Sequence, residues 1–288
     1  MRIKSLLILV QFYINKLFGK RHTSVQFADL SFDFDLHWKH EFYYHQYIQH
    51  NKINGPICMD AWVISNLLQD CDIVLDAGAN IGFTAALSKK AGAAKIHCFE
   101  PDPRLFTRLS NICRGDHFKH YPVALSDMNR TTKFYLSQKH NQGSTLSTVH
   151  VEKFTQLFDH NKNMVIQTKS IDSIFVDETF DFIKIDVEGE ELNVLRGAER
   201  TFNKHLPRII YIEIYEEYFY KVYHFLKHYF PYAYQVICTH KGEGKLIKIE
   251  SEELPSLSHR QFIIRPPSFI FSIENLQEYT KNWTPIAT

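Results

Sequence analysis

The chain has 288 residues, enough for one large α/β domain with an appendage or for two small domains. Its hydrophobic share of 44% and charged share of 23% are ordinary for a globular protein, and the sequence has no internal repeat or low-complexity tract. A formal net charge of +1 gives no global field that would favour nucleic acid as a partner.

The first 52 residues form a basic and aromatic segment, which we distinguish from the domain predicted over residues 53–288. An apolar run from Leu6 to Ile14 is flanked by basic residues, and no acid precedes Asp29. The run is shorter than the roughly 20 residues needed to span a bilayer, and no cleavage site typical of a signal peptide follows it. Three roles stay open: a lid over an acceptor pocket, a helix packed on the domain, or a helix at a membrane interface through residues 1–21.

After residue 56 the pattern alternates between helices and strands. Helices are predicted over 59–68, 82–90, 104–113 and 190–202, with a further one after 215. Strands are predicted over 73–75, 95–99, 120–125, 132–136, 165–169, 182–185, 208–214, 232–239 and 261–265. The alternation predicts a Rossmann-like α/β fold with a mostly parallel seven-stranded sheet, an antiparallel terminal strand and helices on both faces.

A glycine-rich turn follows the first strand of this domain, with Asp76, Gly78, Asn80 and Gly82 at alternate positions. A dinucleotide fingerprint reads G-x-G-x-x-G and binds a pyrophosphate at a helix N-terminus. Here an acid precedes the first glycine, and a carboxylate repels a pyrophosphate but suits a cation. S-adenosylmethionine carries a sulfonium and an ammonium group and no phosphate. Taken alone, the turn is also compatible with a tight strand-to-helix connection.

Glu100 ends the next strand, about twenty residues after the glycine turn. An acid at this place can accept hydrogen bonds from both ribose hydroxyls of a nucleoside. Pro101 and Pro103 stop the strand, and Pro103 can open a helix at its first position. The two acids together predict S-adenosylmethionine as the cofactor.

Three further acids are candidates for catalysis. Asp186 and Glu188 follow the strand over 182–185, and Glu213 lies in an otherwise apolar strand, where a charge must be paired or face a polar cleft. Asp186 and Glu188 could instead cap the following helix. As a base, any of the three could accept the proton of an alcohol during methyl transfer. Together they could hold a divalent metal, although nothing else in the sequence supports one.

Several of these stretches resemble the FkbM family of S-adenosylmethionine-dependent methyltransferases, in order and spacing over about residues 72–214. The residues that carry the resemblance are Val74 to Phe83, Phe99 to Pro103, Val123 to Asp127, Ile171 to Ser173, and Ile183 to Glu191 with Val194, Leu195, Gly197 and Ala198.

The resemblance implies a class I methyltransferase fold and O-methylation of a hydroxyl on a sugar, glycan or small metabolite. It assigns Asp76, Gly78, Asn80 and Gly82 to the cofactor turn, Glu100 to the ribose, and Ser126 and Asp127 to the surroundings of the adenine. It supplies no catalytic residue. Acceptor choice is expected to depend on the residues before 53 and after 215, which lie outside the match.

Other functions stay open at this point. An NAD-dependent oxidoreductase or epimerase is the alternative enzyme, against which stand the missing third glycine and the acid before the glycine turn. A non-catalytic cofactor-binding module and a protein methylase are further alternatives. The lack of an Asp/Asn-Pro-Pro-Tyr run argues against methylation of nucleic-acid bases. Five cysteines without a C-x-x-C pair predict reduced thiols and a cytoplasmic location. The sequence does not predict an oligomeric state.

Overall fold

A computed structural model of the chain describes residues 3–50, 55–238, 244–250 and 267–276. The helices are α1 (Ile3–Phe18), α2 (Lys39–His50), α3 (Gly55–Leu67), α4 (Phe83–Lys90), α5 (Pro103–Ile112), α6 (Thr148–Phe158), α7 (Ile171–Ile174), α8 (Glu191–Arg196), α9 (Glu199–Lys204) and α10 (Phe219–Tyr229). The strands are β1 (His22–Phe27), β2 (Leu30–Asp35), β3 (Ile73–Ala77), β4 (Lys95–Phe99), β5 (Phe118–Tyr121), β6 (Ala124–Leu125), β7 (Arg130–Leu136), β8 (Lys162–Lys169), β9 (Phe182–Ile185), β10 (Ile209–Glu213), β11 (Tyr232–Cys238), β12 (Gly244–Lys248) and β13 (Ser268–Ser272).

The main sheet has the order β12-β11-β13-β10-β9-β3-β4-β5. The run from β10 to β5 is parallel throughout, and β13 is inserted antiparallel between β10 and β11. The predicted α/β fold, with a mostly parallel sheet and an antiparallel terminal strand, is confirmed. The sheet has eight strands where seven were predicted, because β12 pairs antiparallel with the outer edge of β11. The strand predicted over 261–265 lies outside the described residues.

Helices cover both faces of this sheet, and the alternation of strand side chains explains why. Val74 and Ile96 belong to one hydrophobic cluster, which also contains residues of α1 to α5. Leu75 and Phe99 point the other way, into a second cluster with residues of α8, α9 and α10. Successive side chains of a strand face opposite sides, so strands that are apolar at every position need cover on both faces.

Two predicted elements are interrupted. The strand predicted over 120–125 divides into β5, in the main sheet, and β6, in a separate three-stranded sheet of order β6-β8-β7. Pro122 lies between them and has no N–H to continue the ladder. The helix predicted over 190–202 divides into α8 and α9 at Gly197. The Gly197 carbonyl accepts a hydrogen bond from the N–H of Asp172 at 2.9 Å and so does not continue the helix.

The N-terminal residues pack on the main domain through aromatic rings. Phe83 of α4 stacks on Tyr44 of α2, with ring centroids 4.1 Å apart, and on Phe27 of β1 at 5.8 Å. Ile8 and Phe12 of α1 are buried in the same cluster as Phe83. Residues 3–50 therefore contribute to the core that covers one face of the main sheet. Among the described helices, none has the length and hydrophobicity needed to cross a membrane.

Candidate active site

A cavity of about 720 Å³ lies where the parallel strands of the main sheet end. Residues at the carboxyl ends of β3, β4, β9 and β10 line it. Ligands bind at this edge of open α/β sheets, and the volume lies in the range of small-molecule sites, about 300–1,000 Å³. Six of the residues predicted for the site line the cavity: Gly78, Asn80, Glu100, Asp186, Glu188 and Glu213.

The glycine turn is held between the ends of two neighbouring strands. Gly78 has a φ of +84°, and a side chain there would overlap the carbonyl oxygen of Asp186, so the position requires glycine. The N–H groups of Gly78 and Ala79 both donate to the Phe99 carbonyl, at 3.0 and 2.9 Å. The turn is therefore fixed against both β4 and β9.

Asn80 continues the turn with a φ of +52°. Its side-chain oxygen accepts from the N–H of Ile81 at 2.9 Å, a local bond that stabilises this left-handed conformation. Its side-chain N–H donates to the carbonyl of Asn141 at 3.0 Å. Asn80 thus links the turn to the loop between β7 and α6, which also lines the cavity.

The carboxylate of Glu100 is fixed by two backbone donors. One oxygen accepts from the N–H of Asn80 at 3.0 Å and the other from the N–H of Asp102 at 2.8 Å. Burial raises the pKa of Glu100 to about 8, although these two hydrogen bonds act to lower that pKa. Its side chain is held at the cavity wall, at the end of β4. The assignment of Glu100 to the ribose stays a prediction.

Lys184 lies between two of the predicted acids. Its Nζ is 3.5 Å from Asp76 Oδ1 and 3.5 Å from Asp186 Oδ2. Asp76 is buried and does not line the cavity; its other oxygen accepts from the hydroxyl of Thr84 at 2.5 Å. Lys184 lines the cavity, and the surrounding carboxylates raise its pKa in spite of burial. A cation buried here neutralises acids that would otherwise repel one another.

Glu188 is held in an uncommon backbone conformation, with a φ of +56°. Its Oε2 accepts from the hydroxyl of Tyr215 at 2.5 Å and lies 3.7 Å from Nε2 of His150, while its carbonyl accepts from Thr145. Burial, and then repulsion by Asp186, raise the pKa of Glu188 well above its usual range. Backbone strain in combination with a perturbed carboxyl is typical of functional sites.

The other predicted residues take different places. Glu213 lines the cavity, and its Oε1 accepts from the Ser268 hydroxyl at 3.5 Å. Gly82, Ser126 and Asp127 do not line it, and the hydroxyl of Ser126 donates to Asp127 at 3.1 Å. The assignment of Ser126 and Asp127 to the adenine stays a prediction. Among the described residues, no group of three or more His, Cys, Asp or Glu side chains is arranged to hold a metal ion.

The sequence analysis missed Lys184 and Tyr215. Lys184 interrupts an apolar strand, so the reasoning applied to Glu213, that a buried charge must be paired, would have identified it. Tyr215 comes two residues after β10 and could have been found as a strand-end side chain. The cavity is also lined by residues of α1, α2 and the loop between β7 and α6. These residues were not identified by either signal, a charge within an apolar strand or a side chain at a strand end.

Comparison with known proteins gives a match to the model of the Methyltransferase FkbM domain over residues 76–235. The 2-O-methyltransferase NoeI of Sinorhizobium fredii is 27% identical over 164 residues, which cover 52% of this chain and 66% of that relative. The chain thus matches just under two thirds of the relative's length.

Two crystal structures are also similar, both at low identity. Methyltransferase FkbM from Methylobacillus flagellatus KT is 16% identical, with a TM-score of 0.48, over 92% of this chain and 59% of that one. A SAM-dependent methyltransferase from Agrobacterium tumefaciens is 7% identical, with a TM-score of 0.43, over 88% of this chain and 71% of that one.

The family match begins at Asp76, the acid of the glycine turn, and ends within β11. It therefore contains every residue predicted for the site. It also contains the whole of the parallel main-sheet strands β4, β5, β9 and β10. Because it extends over more than half of the 288 residues, the chain belongs to the FkbM methyltransferase family.

Proposed function

We propose that the chain is an O-methyltransferase that transfers the methyl group of S-adenosylmethionine to a hydroxyl of a glycan or small metabolite. The observation that carries this proposal is the cavity, in which Glu100 and the glycine turn share one space with Asp186, Glu188 and Glu213. The family is one of methyltransferases, and the relative NoeI is named for transfer to oxygen. The relatives named above are methyltransferases and not NAD-dependent oxidoreductases.

The residues around the cavity fit S-adenosylmethionine. Five carboxyl side chains besides Glu100 line it and favour a ligand with a sulfonium and an ammonium group: Asp60, Asp186, Glu188, Glu190 and Glu213. We assign Glu100 to the ribose, and the apolar side chains of Phe99, Val123 and Leu125 line the cavity and suit a planar base. When bound, this cofactor supplies an electrophilic methyl group.

We infer that Glu188 is the base that accepts the hydroxyl proton of the acceptor. Its Oε2 is engaged by Tyr215, and within the described residues its Oε1 forms no hydrogen bond, which leaves an acceptor atom at the cavity. A raised pKa makes this carboxylate a stronger base than an exposed one. Asp186 is a weaker candidate, because its Oδ2 already lies 3.5 Å from the ammonium group of Lys184. Glu213 contacts Ser268 and is proposed to orient the acceptor.

A first test measures cofactor binding by titration calorimetry of the full chain with S-adenosylmethionine, S-adenosylhomocysteine and NAD. We expect micromolar binding of the first two ligands and none of NAD. Glu100→Ala should weaken S-adenosylhomocysteine binding at least about tenfold, since it removes a pair of hydrogen bonds proposed to bind the ribose.

Glu199→Ala is the matched control, because Glu199 is exposed on α9 and does not line the cavity. It should leave affinity within about twofold, as expected of a surface substitution. Binding of NAD alone would overturn the proposal. Binding without turnover across a panel of glycans and hydroxylated metabolites would favour the non-catalytic module.

We also propose that α1 makes peripheral contact with a lipid surface, and that the chain is cytoplasmic. Six apolar side chains of α1 are exposed along one side of the helix: Leu7, Val10, Tyr13, Ile14, Leu17 and Phe18. Lys16 and Lys20 follow this surface, and no acid occurs before Asp29. An exposed apolar face beside basic residues suits the interface of an anionic membrane. The described cysteines form no disulfide, which is compatible with a reducing compartment.

A further inference from the structure

The cavity has two regions of opposite charge. Most of the acids that suit the cofactor lie at the carboxyl ends of the strands, as described above. A second set of lining side chains is basic and comes from α1, from the start of α2 and from the loop after β7: Lys16, His37, Lys39, His40, Lys139 and His140. We call these six residues the basic wall. The reaction assigned to Glu188 uses none of them.

Among the described side chains, no acid neutralises the lysines of the basic wall. Within the part of the chain that the structure describes, Lys39 faces the ring of Tyr43 at 5.8 Å, and Lys16 faces the ring of Phe12 at 6.0 Å. Lys139 donates to the carbonyl of Gln156 at 3.0 Å. None of the three lysines forms an ion pair with a described carboxylate. Lys184 differs, because it lies between two carboxylates.

Two members of the basic wall are in direct contact. The rings of His40 and His140 meet edge to face with centroids 4.3 Å apart. Nδ1 of His140 is buried and has no hydrogen-bond partner among the described residues. Burial and the charge of Lys39 lower the pKa of His140 to about 4, so its ring is neutral at pH 7. A buried ring nitrogen without a partner costs free energy that a polar ligand would recover.

The same wall is connected to the cofactor turn. Asn141, next to His140, accepts a hydrogen bond from the Asn80 side chain at 3.0 Å, and the adjacent Gln142 donates to the hydroxyl of Tyr44 at 2.9 Å. Tyr44 and Lys39 both belong to α2. A ligand held by the basic wall would therefore lie within the same cavity as Glu188, beside the cofactor and not at a remote surface.

We propose that the basic wall binds an anionic group of the acceptor, a phosphate, sulfate or carboxylate, and so selects acidic sugars or metabolites for methylation. This inference rests on the proposed methyltransferase function and defines its acceptor class. Ammonium groups without a described carboxylate partner, and an imidazole nitrogen without a described hydrogen-bond partner, are the donors such an anion requires. The acidic region binds the cationic cofactor, and the basic wall binds the opposite charge on the acceptor.

The test is calorimetric and uses full-length chain saturated with S-adenosylhomocysteine, so that the carboxylate of the cofactor is already in place. Three probes carry the three anions on related sugars: glucose 6-phosphate, glucose 6-sulfate and glucuronate. Glucose is the neutral reference. We expect at least one anionic probe to bind at least about tenfold more tightly than glucose, the difference that one charge-assisted contact commonly gives.

The test variant carries Lys39→Gln and Lys139→Gln together, and the matched control variant carries Lys119→Gln and Lys133→Gln together. The control removes the same charge from exposed lysines that do not line the cavity. The test variant should lose the preference for the anionic sugar, and the control should keep it. Binding of S-adenosylhomocysteine and of anionic vesicles should be unchanged in both.

Three outcomes overturn the proposal. One is an equal affinity of glucose and all three anionic sugars. The second is a loss of S-adenosylhomocysteine affinity in Lys39→Gln with Lys139→Gln, which would assign the wall to the cofactor carboxylate. The third is a loss of vesicle binding alone, which would assign it to lipid headgroups. Failure of the unmodified chain to bind S-adenosylhomocysteine would instead contradict the proposed function. The affinities for glucose and the three anionic sugars would then be compared without S-adenosylhomocysteine.

Discussion

At the scale of single residues, the raised pKa of Glu188 leads to a pH prediction. The carboxyl group can act as a base only when it is ionised, and burial keeps it protonated to a higher pH than an exposed glutamate. Turnover should therefore rise with pH through a pKa well above the usual range of a glutamate. Glu188→Gln should lower turnover by about 10²–10⁴, the usual contribution of a general base, and remove this rise.

The measurement is the pH dependence of methyl transfer at saturating cofactor, with cofactor affinity as the check on folding. Glu199→Gln serves as the control, because Glu199 is exposed and lies outside the cavity. If Glu188→Gln keeps the profile of the unmodified chain, the base must be sought at Asp186 or Glu213.

Single residues also show where prediction from sequence ends. Glu100 and Gly78, which were predicted for the cofactor site from strand-end position and glycine content, line the cavity. Asp76 was predicted by the same rule, yet its side chain faces Thr84 and Lys184 and not the cavity. Which way a strand-end side chain points depends on partners that are distant in sequence, and spacing alone does not determine them.

At the scale of the element, α1 carries a prediction about lipid. Leu17 and Phe18 are 73% and 87% exposed, so their replacement by glutamate removes no buried contact. Insertion of each side chain into a membrane interface would contribute about 1.5–3 kcal/mol. We expect the chain to sediment with vesicles that contain phosphatidylglycerol, and the variant Leu17→Glu with Phe18→Glu to lose at least about tenfold in partitioning.

Val165→Glu with Val176→Glu is the control, since these side chains are 64% and 69% exposed and do not belong to α1. It should bind vesicles as the unmodified chain does. If both variants bind equally, or if light scattering shows that the exposed face of α1 pairs two copies of the chain, the membrane proposal is wrong.

The elements themselves were predictable where local signals agree. The strand over 182–185 was predicted with its observed bounds, and α5 begins at Pro103 with Asp102 as its N-cap. The division at Gly197 was missed, since it depends on a hydrogen bond from Asp172, some 25 residues earlier in the chain. β12 was missed because its pairing with β11 depends on sheet-edge geometry and not on its own composition.

At the scale of the whole molecule, one buried carboxylate connects the N-terminal residues to the cofactor turn. Glu41 of α2 is fully buried and forms a two-pronged ion pair with Arg108 of α5, at 2.7 and 2.6 Å. It also accepts from Asn141 at 2.8 Å, and Asn141 in turn accepts from Asn80 of the glycine turn. The segment that sequence sets apart as residues 1–52 therefore shares both core and polar contacts with the domain over 53–288.

This network leads to a prediction about cooperativity. Arg108→Ala leaves the Glu41 carboxylate buried without its cation, a change that typically destabilises a protein by about 3–5 kcal/mol. Because Glu41 joins the N-terminal residues to α5, calorimetry should show one unfolding transition at a lower temperature, and not the separate loss of an appendage. Arg114→Ala, an exposed arginine just after α5, should shift stability by no more than about 0.5 kcal/mol. Two transitions, of which Arg108→Ala moves only the first, would mean that residues 1–52 fold as an independent unit.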